Sequence, residues 1–325
     1  MVLKINVIIK SKYVTLHHIS LQNHFVIVSF QSYMQKNIQF QSDDLTLSGT
    51  LHIPDHPRVD ERKSAIIVLH GFGSNKNGGT ALAAAELFEK LGYVALRFDF
   101  RGCGQSQGER GRVICQEQVR DTSSALTYLQ TLEEIIPDQI AVTGFSFGAA
   151  VAVYTAGVNP AIAACISMGG WGDGAKKFRK QHANPQDWEK FTRMMQEGQE
   201  KLAQGESMMV SRYDIVPIRP GIRNNLSPGS HMEFPYEVVQ SMFEFTANEV
   251  VGQIAPRPLL LLHAAVDTVT PTEQSIDLFA HAKQPAELHL FSDVDHFLLA
   301  GENQIVHATL ASWLSKYFPL KHQSV

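Results

Sequence analysis

No stretch of this 325-residue sequence is apolar for long enough to cross a bilayer, and no hydrophobic segment followed by an Ala-x-Ala site marks a secretory leader. Stable membrane insertion is therefore not expected. Neither sign of charge dominates: 28 Lys and Arg face 32 Asp and Glu, a net charge of -4, which argues against a nucleic-acid or anionic-membrane partner. The densest basic cluster, Lys176, Lys177, Arg179 and Lys180, reads as a solvated face. Cysteine is scarce, with Cys103, Cys115 and Cys165 in no CxxC or His-rich spacing, so neither a disulfide framework nor a zinc site is expected. An odd, scattered set suits a reducing, cytoplasmic setting, and Cys165 sits in an apolar run as a small core residue. Internal repeats and low-complexity tracts are also missing. What remains, 44% hydrophobic and 18% charged, is an ordinary globular composition, enough for one large α/β domain or two smaller ones.

Residues 1–33 hold short apolar runs broken by His17, His18, Gln22, Asn23 and His24. They are expected to be a poorly ordered extension or a mis-called start, with Met34 opening a stretch that reads as a natural beginning. Ile38 to Gln41 and Leu45 to Ile53 alternate apolar and polar around Asp43-Asp44, the pattern of an antiparallel hairpin. From Ala65 onward, continuous apolar runs of buried-strand type alternate with helical patterns: strand 65–70, helix 80–91, strand 93–98, helix 115–133, strand 140–142. That rhythm predicts right-handed crossovers and a mostly parallel sheet flanked by helices.

The rhythm is interrupted after the strand Ala161 to Met168 and resumes near Arg257. Residues 169–252 are rich in Trp, Phe, Tyr, Met and Glu, with helical spacing at Trp188, Phe191, Met194 and at Val238, Met242, Phe245. They predict a mostly helical insertion over the carboxyl ends of the strands, a cap. Its plain alternative is a structural excursion. Residues 34–168 and 253–325 would then form the core, and Trp171, Phe234 and Met242 are candidates to line a substrate pocket.

The most informative stretch is Gly144-Phe145-Ser146-Phe147-Gly148, between an apolar strand and a small-residue helix. A serine on so tight a turn takes a strained backbone, and a Cβ at either glycine would collide with the neighbouring strand or helix. Oγ then stands above the sheet edge, a nucleophile's place, where the alternative is a tight structural turn. A serine needs a base and an orienting acid. His296 follows the last strand and Asp267 the strand before it, so Ser146, Asp267 and His296 all fall at strand ends. Asp293 and Asp295 compete for the acid's role from the histidine's own loop. His70 and Asp99, also at strand ends, read as groups that brace loops, and His263 as a core-strand residue.

The order Ser, Asp, His at these positions resembles the α/β-hydrolase fold from about Ile38 to Phe318. His70-Gly71-Phe72-Gly73-Ser74-Asn75-Lys76 and Arg97 through Ser106 look like the branch of serine-aminopeptidase-like lipases and cinnamoyl (feruloyl) esterases. Val251 to Val269 and the long cap are also similar to dienelactone-hydrolase-like and X-Pro-dipeptidyl-peptidase-like members, although Ser146 stands where true dienelactone hydrolases carry cysteine. The resemblance implies a Ser146-His296-Asp267 triad and an oxyanion hole from the backbone N–H groups of Phe72 and Phe147. It implies no metal or organic cofactor. The expected activity is cleavage of a small-molecule carboxylic ester with a small to medium acyl or aryl-acyl group, through an acyl-enzyme. A peptidase or thioesterase on the same triad, with Glu233, Glu237 and Glu244 available to a substrate ammonium, is the alternative. A non-catalytic, ligand-binding member of the fold is the third reading.

Overall fold

The computed structural model describes residues 34–54, 61–299, 301 and 303–324; the expected extension over 1–33 lies outside them. The chain enters as a hairpin of β1 (Met34–Ser42) and β2 (Leu45–Ile53), in which Ser42 pairs with Leu45 around Asp43 at φ 52°. Aspartate tolerates this left-handed backbone better than most residues. The hairpin starts four residues before Ile38, because an edge strand pairs through its backbone and leaves polar side chains such as Gln35, Lys36 and Asn37 in solvent.

β3 (Glu61–Leu69), α1 (Gly79–Lys90), β4 (Val94–Phe98), α2 (Cys115–Gln130), β5 (Ile135–Phe145), α3 (Phe147–Val158) and β6 (Ala164–Met168) follow. An insertion comes next, with α4 (Gly174–Gln181), α5 (Pro185–Ala203), β7 (Met209–Ser211), α6 (Arg212–Ile215), β8 (Glu233–Pro235) and α7 (Tyr236–Glu244). β9 (Leu259–Ala264), α8 (Glu273–His281), β10 (Ala286–Phe291), α9 (Gln304–Tyr317) and β11 (His322–Ser324) complete the order.

The main sheet runs β1-β2-β4-β3-β5-β6-β9-β10, with β11 paired to the start of β3. It is parallel from β4 to β10 and antiparallel at the hairpin and at β11. Alternate residues of its central strands enter two cores. Ile67, Leu69 and Val142 pack with Val119 and Leu126 of α2 and Val151 of α3. Ile66, Val68 and Ala141 pack on the opposite face with Phe88 of α1 and Leu310 and Trp313 of α9. Burial on both faces is why these strands read as unbroken apolar runs. The carboxyl ends of β3, β5, β9 and β10 therefore share one edge, and each carries a loop that matters below.

The insertion is not wholly helical. β7 and β8 pair as a two-stranded antiparallel ribbon, Val210 opposite Phe234, which three-residue strands are too short to announce as a pattern. α5 has clear local signals: Asn184 accepts a hydrogen bond from Gln186 N–H, and Pro185 opens the helix. Much of the aromatic density forms the insertion's own core, with Phe178 stacked on Phe191 at 4.9 Å and Phe191 on Trp188 at 5.6 Å. Among the described residues no helix is long and apolar enough to cross a membrane.

Candidate active site

Ser146 joins β5 to α3 with φ 54° and ψ -114°, a conformation that costs a non-glycine residue on the order of 1–3 kcal/mol. Its surroundings hold it there. Ser146 N–H donates to Met168 O of β6 at 2.9 Å, and its carbonyl accepts from Ala149 and Ala150, starting α3. A Cβ on Gly144 would collide with the Gly148 backbone, and one on Gly148 would lie 2.5 Å from His70 O and 2.8 Å from Leu69 O. The turn thus fits only because helix and strand backbones approach where side chains are missing. Phe147 is the first residue of α3, so its N–H has no intrahelical partner and lies at the positive end of the helix.

The loop after β3 brings Phe72 beside this turn; a Cβ on Gly71 would lie 3.6 Å from Phe145 O and 3.9 Å from Ser146 Cβ. His70 braces that loop. Phe100 N–H donates to His70 Nε2 at 3.2 Å, which leaves Nδ1 to donate to Gly71 O at 2.9 Å. Burial, partly opposed by the charge of Asp99, pushes the His70 pKa below its ordinary value and keeps the ring neutral. Asp99 ties the next loop on, accepting from Lys76 N–H at 2.6 Å, Lys76 Nζ at 2.7 Å and Gln105 N–H at 2.9 Å. Both residues serve as loop braces.

The insertion contributes a clamp with no signal in the sequence. Arg212 Nη2 donates to Phe72 O and Nε to His231 O, both at 2.7 Å, and its guanidinium lies 5.1 Å from the Phe72 ring centroid. Phe234 stacks on Phe72 at 4.1 Å.

The loops after β9 and β10 carry Asp267 and His296. Asp267 Oδ1 accepts from Val269 N–H at 2.7 Å and Thr270 N–H at 2.8 Å, while Oδ2 accepts from His296 Nδ1 at 2.8 Å. A fourth partner comes from β9: His263 Nε2 lies 3.2 Å from Oδ2 and 3.0 Å from Thr270 O, and Nδ1 meets Ser275 Oγ at 2.6 Å. Both Nε2 partners are acceptors, so that nitrogen bears the proton. His263 is indeed a core-strand residue, but its hold on Asp267 was missed; the signal was a histidine breaking an apolar run four residues before the acid. Burial alone would raise the Asp267 pKa, but the charge of His296 and the bonds from His263 and His296 outweigh it and hold the carboxyl well below the usual range. Asp295 does not reach the ring. It accepts from Thr268 N–H at 2.9 Å, Thr268 Oγ1 at 2.7 Å and His296 N–H at 2.7 Å, zipping the two loops together.

With Nδ1 committed to Asp267, His296 Nε2 is left as the acceptor. Ser146 and His296 border one cavity of about 70 Å³, together with Phe72, Trp171, Lys177, Arg212 and Met242. No hydrogen bond joins Ser146 Oγ to His296 among the described residues, a contact that commonly tightens when substrate binds. Two of the three expected pocket residues, Trp171 and Met242, line the cavity; Phe234 stands behind Phe72 instead. Lys177 overturns the reading of its cluster as a solvated face: it is 2% exposed, with its side chain among Trp171 and Phe178.

A serine on a strained strand-to-helix turn and a histidine held by a carboxylate, at the carboxyl edge of a mostly parallel sheet flanked by helices, are the architecture of an α/β hydrolase. The chain belongs to the serine aminopeptidase S33 family, whose model matches residues 60–304. It is similar to acyltransferase drtE of Aspergillus calidoustus, 26% identical over 87% of this chain and 94% of that one. It is also similar to a thiohydrolase of Eupenicillium brefeldianum, 25% identical over 87% of this chain and 94% of that one. The α/β hydrolase GrgF from Penicillium sp. sh18 superposes with a TM-score of 0.70 at 21% identity, over 88% of this chain and 99% of that one.

Two predictions follow from this geometry. Gly148→Ala should lose roughly 1–3 kcal/mol of stability, read as a lower thermal midpoint by circular dichroism; parental stability in that variant would contradict the close-approach account. The neutral state of His70 bears on pH: the unfolded chain takes up this proton below about pH 6.5, the folded chain resists it, and stability is full above that pH and falls below it. His70→Asn should therefore show a shallower loss of thermal stability between about pH 6.5 and pH 5 than the parent. His182 and His231 are shifted in the same direction by burial, so part of the slope should persist.

Proposed function

We propose that this protein is a serine hydrolase that cleaves carboxylic esters of small to medium acyl or aryl-acyl groups through an acyl-enzyme. Ser146 Oγ attacks the ester carbonyl while His296 Nε2 takes its proton. Asp267 fixes the imidazole tautomer and stabilises its charged form. The developing oxyanion is received by the N–H groups of Phe72 and Phe147, each worth about 3 kcal/mol in comparable sites. The tetrahedral intermediate collapses with His296 protonating the leaving alkoxide, and water then repeats the sequence on the acyl-enzyme. The observation that carries this reading is the 2.8 Å His296 Nδ1 to Asp267 bond, which leaves Nε2 as the base on the cavity that holds Ser146. The insertion acts as the cap, since Trp171, Lys177, Arg212 and Met242 all come from it to that cavity.

A specific observation also weighs between leaving groups. An aminopeptidase must hold a substrate ammonium, and the cavity is lined by two basic side chains, Lys177 and Arg212, and by no Asp or Glu among the described residues. Glu233, Glu237 and Glu244 are not among its lining. This supports an acyl group over an amino-acyl one. The names of the relatives, an acyltransferase and a thiohydrolase, make a thioester the second reading on the same triad.

Ser146→Ala should remove labelling by a fluorophosphonate probe and lower turnover of an aryl ester by roughly 10⁴-fold or more, with the fold intact. Undiminished turnover would end the proposal, and failure of the parent to label would favour a binding-only protein. Aryl ester, acyl-CoA and aminoacyl-amide substrates measured side by side should be turned over in that order. A faster amide would move the protein to the peptidases. Within the triad, Asp267→Asn should lower kcat by about 10³- to 10⁴-fold through the wrong imidazole tautomer, and Asp295→Asn by much less. A larger loss in Asp295→Asn than in Asp267→Asn would mean that Asp295, not Asp267, orients the ring.

A further inference from the structure

Lys177 is the fourth residue of α4, whose buried side carries Gly174, Lys177 and Phe178 at helical spacing. Its neighbours in the basic run behave as surface residues. Lys176 reaches Asp277 at 3.1 Å, Lys180 reaches Glu273 at 2.9 Å, and Arg179 stacks on Trp188 at 4.8 Å. Lys177 alone of the four is turned inward. Its Nζ lies 4.6 Å from the Trp171 ring centroid and 3.9 Å from that of Phe178, and it has no hydrogen-bond partner.

An ammonium buried without an anion is among the costlier arrangements a protein can hold. Burial pushes the Lys177 pKa down to about 7, and the one titratable neighbour acting on it, Cys115, is a thiol that burial pushes up to about 12 and so offers no counter-charge near neutrality. The indole Nε1 of Trp171 is also buried and unpartnered. Both residues line the cavity of Ser146, where Arg212 is already engaged by the carbonyls of Phe72 and His231 and no carboxylate is present among the described lining residues. Lys177 and Trp171 thus both border the cavity, and each carries a buried donor with nothing to donate to, the Lys177 Nζ lying 4.6 Å from the Trp171 ring centroid. A two-oxygen anion satisfies both donors and the charge at once.

We propose that Lys177, with Trp171 Nε1, is the specificity determinant for a carboxylate borne by the acyl portion of the substrate, so that the preferred ester is a half-ester of a dicarboxylic acid. This rests on Ser146 being the nucleophile of the proposed ester hydrolysis. The carboxylate takes no part in bond making. It anchors the far end of the acyl chain while the ester carbonyl sits between Ser146 and the N–H groups of Phe72 and Phe147.

The test compares p-nitrophenyl hexanoate with mono-p-nitrophenyl adipate, equal in chain length and differing in the terminal carboxylate, with spontaneous hydrolysis subtracted. In the parent, kcat/KM for the adipate half-ester should exceed that for the hexanoate by about tenfold or more, the scale of one hydrogen bond to a charged group. In Lys177→Met that ratio should fall to near one or below it. Lys177→Gln, similar in length and uncharged, provides the same ratio if the methionine variant does not fold. A parent that hydrolyses the hexanoate with no preference for the adipate overturns the inference, as does a preference that survives both substitutions. If the parent hydrolyses neither ester and Ser146 does not label with a fluorophosphonate, the failure lies in the nucleophile assignment.

Discussion

The left-handed backbone of Ser146 is the constraint to which the rest of the molecule is fitted. A residue at φ 54° between strand and helix persists only where its surroundings outweigh the strain, and here β3, β6 and α3 all do so through backbone atoms. The parallel sheet makes this possible. It brings the carboxyl ends of β3, β5, β9 and β10 to one edge, so residues far apart in the sequence, Phe72, Ser146, Thr270 and His296, border a single cavity. The first-turn N–H groups of α3, the Phe72 loop and the Asp267–His296 pair need no long-range movement to be near it.

Much of this was legible because its signals are local. Gly-x-Ser-x-Gly needs only its own strand and helix, and the buried strands announce themselves as apolar runs. Asp267 and His296 were found because strand ends can be read from a sequence and their order matches a known fold. His70 and Asp99 were also read as braces for a simple reason: each closes a glycine-rich loop that lacks regular hydrogen bonding of its own.

What escaped the sequence depends on contacts between distant segments. The β7–β8 ribbon is too short to show alternation. Arg212 reaches Phe72 across 140 residues, and no periodicity marks which of the surface-type arginines will do so. Phe234 has the composition of a pocket residue yet supports one from behind. Lys177 is the sharpest case, because four basic residues in five positions look like a solvated face, while a helix turns 100° per residue and must send one of them inward.

Two ways of holding buried charge separate scaffold from site. In the scaffold two buried cations are held by counter-ions: Lys76 by Asp99, and Arg101 by Asp121 at a side-chain exposure of 9% and 0%. Such pairs fix loops because breaking either partner strands the other. Around the cavity the pattern changes. Asp267 is satisfied by two histidines and two backbone N–H groups, whereas Lys177 and Trp171 Nε1 have no protein partner. Buried polar atoms without partners also occur in the scaffold, at Gln118 and Thr143 among others, but Lys177 and Trp171 belong to the lining of the cavity that Ser146 borders, where a substrate can supply the missing acceptor.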